Sequence, residues 1–299
     1  MKNVSCFSGN PVSTAVSSTF GSGNSGVRPN LKLMLFIALF SALIITGGSI
    51  PLRAQEAKPK MDMTELAKKT QNPVESMIQI PFAYYGNFNY GPDKQFASTL
   101  EIKPVVPVKL SKGLNLILRA IVPVLFLPEP VSKTGLSDVQ LQVFFAPSKA
   151  KKFIWGLGPM ITFPTGVPYE ICSGKWTAGP IGVGLVMLKK WVAGLLINQR
   201  WSFAGDGSMP EVNQLYMNAF VNLNFKNGWA VSYAPEIYAN WNESASNVWT
   251  FPVGLAGIKA FHIGKQMMSA NLGYYYNVVR PENATNMYIK AGVSLLFPK

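Results

Sequence analysis

The chain holds one histidine, His262, and two cysteines, Cys6 and Cys172, so the side chains that most often do nucleophilic or metal chemistry are nearly absent. A hydrolase working through Ser–His or His–carboxylate chemistry needs a histidine beside its nucleophile or its water. His262 falls in an expected turn, at the end of the molecule opposite the loops where such a site would meet substrate. A transition-metal site needs several imidazole or thiolate ligands, and these residues do not supply them. The sequence therefore predicts no catalytic residue, no metal and no cofactor. What remains is a set of ionisable side chains embedded in apolar segments: Glu101, Lys103, Arg119, Arg200, Glu236 and Lys290. The phenols Tyr216, Tyr238 and Tyr275 and the amides Gln140, Gln142, Asn198, Asn218 and Asn271 keep them company.

All of these positions share a phase, because each falls on the polar side of a segment that alternates apolar and polar. From about Glu75 onward the chain repeats such segments of ten or more residues between short breaks. In 212–225, Leu215, Met217, Ala219, Val221, Leu223 and Phe225 fall on one face and Gln214, Tyr216, Asn218, Asn222 and Asn224 on the other. A strand buried in a dry sandwich core would not be so polar on one side. The pattern predicts an all-β fold, a transmembrane antiparallel β-barrel of about twelve strands. The expected spans are 76–90, 96–108, 114–126, 137–147, 153–164, 175–188, 191–204, 212–225, 229–241, 247–260, 266–279 and 286–297. A charge facing lipid at mid-bilayer costs about 2 to 4 kcal/mol, so the ionisable set is assigned to the lumen. There it either fills a narrow interior with salt bridges or contacts a solute, and Glu101 with Arg119 is the expected cross-strand pair. Arg200 and Lys290 show no obvious carboxylate opposite, and four inward cations against two inward anions predict a mildly anion-selective lumen. Prolines within the spans, Pro104, Pro107, Pro123, Pro159, Pro180, Pro235 and Pro252, each remove a ladder donor and predict bulges or kinks.

The breaks sort into two alternating kinds. Tight basic turns occur near 109–113, 147–152, 189–190, 226–228 and 261–265, and longer acidic or neutral loops near 92–94, 128–136, 164–174, 205–211, 242–246 and 280–285. Short periplasmic turns and long outer loops are the asymmetry of outer-membrane barrels. Lys109, Lys112, Lys149, Lys151, Lys152, Lys189, Lys190, Lys226, Lys259, Lys265 and Lys299 gather at the short-turn end, where they suit anionic headgroups. Asp93, Glu129, Asp138, Glu170, Asp206, Glu211, Glu243 and Glu282 gather at the other. This placement reads the formal charge of +13 as a membrane feature and excludes a nucleic-acid partner. Tryptophans and phenylalanines at the strand ends form the two expected girdles.

With 48% hydrophobic residues and a mean hydropathy of +0.17 the composition alone would suit helical spans. Yet the one continuous apolar run, 33–45, is short for a bilayer core. Preceded by Arg28 and Lys32 and followed by Leu52-Arg53-Ala54, it reads as a secretory signal peptide cleaved after Ala54, in place of a helical anchor. The expected organisation is an extended leader over 1–54, a periplasmic segment over 55–74 with a short helix within 61–71, and the barrel over 75–299. Cleavage removes Cys6 and leaves Cys172 alone, so no internal disulfide forms.

Asn72-Pro73-Val74 followed by Ile78-Gln79-Ile80-Pro81-Phe82, then Lys103-Pro104-Val105-Val106-Pro107-Val108, then Leu114 to Arg119 running into Ile121-Val122-Pro123 and Leu127-Pro128-Glu129-Pro130, resembles the opening of the MetA-pathway of phenol degradation family of outer-membrane barrels. The terminal strand ending at Phe297, with Pro298 and Lys299 trailing, resembles the signal read by the barrel assembly machinery. The resemblance implies export through the Sec pathway to a Gram-negative outer membrane, contact with its lipids and assembly machinery, and passage of small, hydrophobic or aromatic compounds. The function expected is a channel or uptake barrel that is not an enzyme. The alternative is a structural or adhesive barrel with a plugged lumen that acts through its outer loops.

Overall fold

The computed structural model describes residues 62–148 and 152–297. The expected leader and its cleavage site, Cys6, Lys149, Lys151 and Lys299 lie outside the described residues. The described residues fold as one closed antiparallel barrel of 12 strands with one α-helix ahead of it. The strands are β1 (Ile78–Tyr90), β2 (Gln95–Ile102 continued by Val105–Lys109), β3 (Leu114–Leu127) and β4 (Lys133–Leu136 continued by Val139–Pro147). Then come β5 (Phe153–Phe163), β6 (Lys175–Met187), β7 (Trp191–Gly205) and β8 (Asn213–Asn224). The last four are β9 (Trp229–Tyr233 continued by Glu236–Asn240), β10 (Trp249–Ile263), β11 (Gln266–Val279) and β12 (Met287–Phe297). Each strand pairs with its neighbours in sequence, and β12 closes the ring on β1 with Ile78 opposite Phe297 and Phe88 opposite Met287. Closure removes the free edges that would leave backbone donors unsatisfied in lipid.

The alternation read from the sequence becomes an inside and an outside. Phe82, Tyr84, Phe126, Leu157, Leu195, Val221, Leu255, Leu272 and Val293 are exposed large apolar side chains on the outer wall, a surface suited to hydrocarbon. Among the described residues no helix is long and apolar enough to cross a membrane, which says nothing of crossing by strands. His262 is a correction: it is not in a turn but exposed near the end of β10, opposite Met267, because the β10–β11 ladder runs on to Ile263 and Gln266.

The prolines divide. Pro104 and Pro235 sit in the breaks that split β2 and β9, and Pro252 sits at a register shift against β11. Pro107, Pro123, Pro159 and Pro180 stay within ladders, with Pro159 opposite Pro180. Neighbouring backbone comes close beside that last pair: a Cβ at Gly158 would overlap the Val143 carbonyl oxygen, and one at Gly179 the Gln199 carbonyl oxygen. Only a residue without a side chain lets the neighbouring backbone approach so closely.

Helix α1 (Met63–Thr70) starts at Asp62, whose carboxylate accepts from Thr64 N at 3.1 Å, with Lys68 and Lys69 in its last turn. Leu66 and Ala67 are fully buried against the 226–228 turn and the strand ends around it, so the helix lies over the short-turn end of the barrel. Amphipathic docking explains why so short a helix is stable.

Candidate functional site

The residues after α1 continue into the lumen. Gln71 and Asn224 exchange amide hydrogen bonds at 2.9 and 3.2 Å, and Asn115 Nδ2 donates to Ser76 Oγ at 2.8 Å. Val74 is buried in an apolar cluster with the inward side chains Ile117, Phe144, Ile154, Val183, Val192 and Phe220, contributed by β3 through β8. The lower lumen is therefore a packed core. Its alternating strands carry apolar residues on both faces there, which the polar phase higher up does not reveal.

Above this floor lies a polar chamber of about 60 Å³ lined by Glu101, Lys103, Arg119, Gln140, Gln142, Asn198, Arg200, Gln214, Tyr216, Glu236 and Tyr238, with Ile121 and Leu215. Since about 10–15 Å³ of such space suffices for one water, it has room for more than one. Two ion pairs organise it. Lys103 bonds Glu101 on its own strand. Lys290 Nζ on β12 reaches Glu236 Oε1 on β9 at 2.5 Å. Tyr85 links the two pairs: its hydroxyl donates to Glu236 Oε1 at 3.1 Å and accepts from Lys103 Nζ at 3.0 Å. Both ammonium groups also stand over its ring, at 5.3 and 5.2 Å from the centroid. Tyr238 OH donates to Glu236 Oε2 at 3.2 Å, Tyr216 and Tyr238 pack at 5.0 Å, and Tyr275 stacks on Tyr288 at 5.0 Å. The guanidiniums contact amides: Arg119 donates to Gln142 Oε1 at 3.4 Å, and Arg200 donates to Gln214 Oε1.

The chamber thus brings together Glu101, Lys103, Arg119, Arg200, Tyr216, Glu236 and Tyr238, and Lys290 reaches it through Glu236. Two expected pairings are corrected. Glu101 does not pair with Arg119, because the register sets Glu101 opposite Pro123 and Arg119 opposite Val105. Lys103, two residues away on the same face, takes the carboxylate instead. Lys290 has a carboxylate after all, from a strand three places round the ring. Asn218 points inward but is spent on the carbonyls of Ala234 and Pro235 at the β9 break. Sequence reading missed Tyr85 and Tyr288. Both have the inward phase of their strands, and that phase was the available signal.

The outer mouth is narrowed by the 164–174 loop. Ile171 is fully buried among Tyr90, Ala97, Leu125, Leu127 and Val131, and Val167 bridges to Leu136. Asp138 is not a loop carboxylate but a buried inward one at the break in β4; it accepts from Ser173 N, Ser173 Oγ and Gly166 N at 2.7, 2.5 and 3.2 Å. The loop itself is tied to its neighbour by Tyr169 OH donating to Asp206 Oδ2 at 2.5 Å. Ser208 N and Oγ donate to the other oxygen at 2.8 and 2.7 Å. These bonds hold the Asp206 carboxyl down at about 2, the Tyr169 hydroxyl contributing most. Glu211 is lowered for the same kind of reason, first by Lys175 and then by Ser202. Cys172 is a buried thiol whose Sγ lies 2.9 Å from the Tyr169 carbonyl. Among the described residues no group of three or more His, Cys, Asp or Glu could hold a metal ion.

No family model matches the chain, and no curated protein matches it. Among solved structures it is similar to the COG4313 outer membrane channel from Pseudomonas putida F1, at 14% identity and a TM-score of 0.53, over 81% of this chain and all of that one. It is also similar to the NanC porin, at 14% identity and a TM-score of 0.48, over 74% of this chain and all of that one. The first of these likenesses is one of fold.

Proposed function

We propose that this barrel is an outer-membrane channel for small molecules, closed in the conformation described, which conducts when the segment around Val74 leaves the lumen. The observation that carries the reading is the chamber. A barrel built only as a scaffold could fill its interior with apolar side chains, as the lower lumen does, at no cost of burying charge. This one instead places two ion pairs, two guanidiniums and the phenols of Tyr85, Tyr216 and Tyr238 together in its interior, behind an outer wall of apolar residues. Such a layer wets and recognises what passes. The floor that blocks it is made by α1 and residues 72–76, which are held by the Gln71–Asn224 and Asn115–Ser76 contacts and by the buried side chains of Leu66, Ala67 and Val74, and which precede the first strand. That is a removable closure.

The reading carries no catalytic step. It agrees with the resemblance of the sequence to the MetA-pathway family, whose members are assigned small hydrophobic or aromatic compounds, and places the protein in a bacterial outer membrane. The extent of apolar packing around Val74 favours one alternative, a permanently plugged barrel that acts through its outer loops. Planar-bilayer conductance and liposome swelling of the refolded chain and of a variant lacking residues 63–76 separate the two. Conductance rising at least tenfold in the deletion supports the channel. A deletion variant that folds and stays impermeable supports the plugged barrel.

A further inference from the structure

The outer rim carries a second cavity, a groove of about 670 Å³ between the β1–β2 turn and the loop that joins β11 to β12. Backbone bonds hold its two walls together: Gly91 N donates to Asn283 O at 2.8 Å, and Asn286 N donates to Phe88 O at 3.2 Å. Glu282 N donates to Asn247 Oδ1 at 2.9 Å, which ties the loop to the β9–β10 connection as well. The groove is thus formed before a ligand arrives, and binding need not order it. Its lining offers both signs of charge. Lys94 and Arg280 supply two cations and Glu282 one carboxylate, none of them ion-paired among the described residues. Asp93, in the same turn, stands off the lining. Arg280 Nη1 donates to Ala284 O at 2.9 Å, which fixes the guanidinium on its own loop and leaves the rest of its fork of donors for an anion. Asn277 also lines the groove and is 2% exposed; its Nδ2 donates to Thr285 O at 2.7 Å, while its Oδ1 is buried with no partner among the described residues. A buried acceptor calls for a donor. An ionised phosphate has none to give, either to Asn277 Oδ1 or to the Glu282 carboxylate, but a sugar hydroxyl does. Cations for an anion and acceptors for hydroxyls, side by side, fit a phosphorylated sugar.

The same groove borders the apolar outer wall. Tyr276, Val278 and Val279 line it and are exposed, and Tyr274 continues their strip down β11. An aromatic and aliphatic strip that begins at a polar groove suits a ligand with a wet headgroup and apolar chains. We propose that this groove binds the phosphorylated sugar headgroup of an outer-leaflet glycolipid. Its phosphate meets Lys94 and Arg280, its hydroxyls meet Asn277 and Glu282, and its acyl chains run down the β11 strip. A free phosphosugar offers the same headgroup; the strip is what commits the site to the lipid. The site rests on the outer-membrane location and is the same whether or not the lumen conducts.

The test is native mass spectrometry of the full folded chain in detergent micelles, titrated with an acylated diglucosamine that carries two phosphates. The comparison ligands are phosphatidylglycerol, which is anionic and acylated but has no sugar, and glucosamine 1-phosphate, which has the headgroup chemistry but no chains. Saturable binding of the glycolipid is expected, at least tenfold tighter than phosphatidylglycerol. Lys94→Gln and Arg280→Gln should each weaken it about tenfold, as the loss of a charge-assisted contact does. Asn277→Leu should weaken the glycolipid and leave phosphatidylglycerol unchanged. Lys265→Gln, at the short-turn end, should alter neither. Heat-modifiable mobility on a gel confirms that each variant is folded, and Lys94→Gln, on an exposed turn, decides the matter if the Arg280 or Asn277 variant is not. Equal affinity for phosphatidylglycerol, or glycolipid binding untouched by Lys94→Gln, would overturn the proposal. Glucosamine 1-phosphate bound as tightly as the glycolipid would overturn the lipid assignment, because the chains would then contribute nothing. A barrel that binds the glycolipid and never conducts would remove the channel reading and leave the site; a conducting barrel that does not bind it would do the reverse.

Discussion

Tyr85 and Glu236 meet across the lumen: the Tyr85 hydroxyl on β1 donates to Glu236 Oε1 on β9 at 3.1 Å, although three strands separate β1 from β9 round the barrel. Because Glu236 also binds Lys290, and Tyr85 also accepts from Lys103, this contact spans the interior and couples wall to wall. Removing the carboxylate strands buried cations. Glu236→Ala should destabilise the fold by ~3 kcal/mol, the low end for breaking a buried pair, since the chamber has room for water. Tyr85→Phe should cost about 1 kcal/mol. The double variant should lose less than the sum, read by urea unfolding in micelles; strict additivity would mean that the two side chains do not act together.

Gly158 and Gly179 test the close approach of neighbouring strands in the wall. Each stands against a neighbouring strand's carbonyl, Val143 O and Gln199 O, which backbone cannot yield to a methyl group without breaking the ladder. Gly158→Ala should therefore cost ~4 kcal/mol or more, in the range where a substitution prevents folding. Gly257→Ala, on β10 with nothing within 4 Å of the added carbon, should fold normally. The folded fraction on a gel gives the answer, and equal yields would mean that the close approach does not exist.

How far the sequence could be read follows from the range of each interaction. Strand spans and turns were legible because alternation and turn residues are local: the expected 266–279 span has the ends of β11, Gln266 and Val279. The inward phase of Glu101, Arg200 and Glu236 was legible for the same reason. Their partners were not. Lys290 and Glu236 are 54 residues apart and Tyr85 and Glu236 are 151 apart, so those contacts depend on barrel diameter and stagger, which no window of sequence contains. The apolar floor escaped notice because Phe144 and Val183 are apolar on the inward phase, where alternation leads one to expect polar residues.

The outer loops should respond to acid in a narrow window. The Asp206 carboxyl is held at about 2, against an ordinary 3.8, chiefly by the Tyr169 hydroxyl. A depressed carboxyl contributes its tie fully above its unfolded value and loses it as pH falls through the folded one. The link between the 164–174 loop and the 206–212 loop should thus be intact at pH 5 and lost between about pH 4 and pH 2. Tyr169→Phe should raise the Asp206 midpoint toward the ordinary value. An NMR titration of the Asp206 side chain measures both midpoints, and identical curves would show that the hydroxyl does not set them.

Val74 is the side chain by which the N-terminal segment is anchored in the lumen. It is 5% exposed and packs among Ile117, Phe144 and Phe220, so Val74→Asp would bury an uncompensated carboxylate in an apolar cluster. The segment can avoid that cost by leaving, since it precedes β1 and contributes no strand to the barrel. Departure also requires release of Leu66 and Ala67 from the 226–228 turn, and of the Gln71–Asn224 amide pair and the Asn115–Ser76 bond, neutral contacts worth about 1 kcal/mol each. Val74→Asp should therefore raise single-channel open probability by at least tenfold while the folded fraction stays near that of the wild type. Asn224→Ala, which loosens the segment without expelling it, should give a smaller increase. A cysteine at position 74, inaccessible to a membrane-impermeant thiol reagent in the resting protein, should become reactive when paired with Asn224→Ala. A Val74→Asp barrel that is folded and closed, together with a Val74→Cys thiol that stays unreactive beside Asn224→Ala, would mean that the segment is a permanent part of the core.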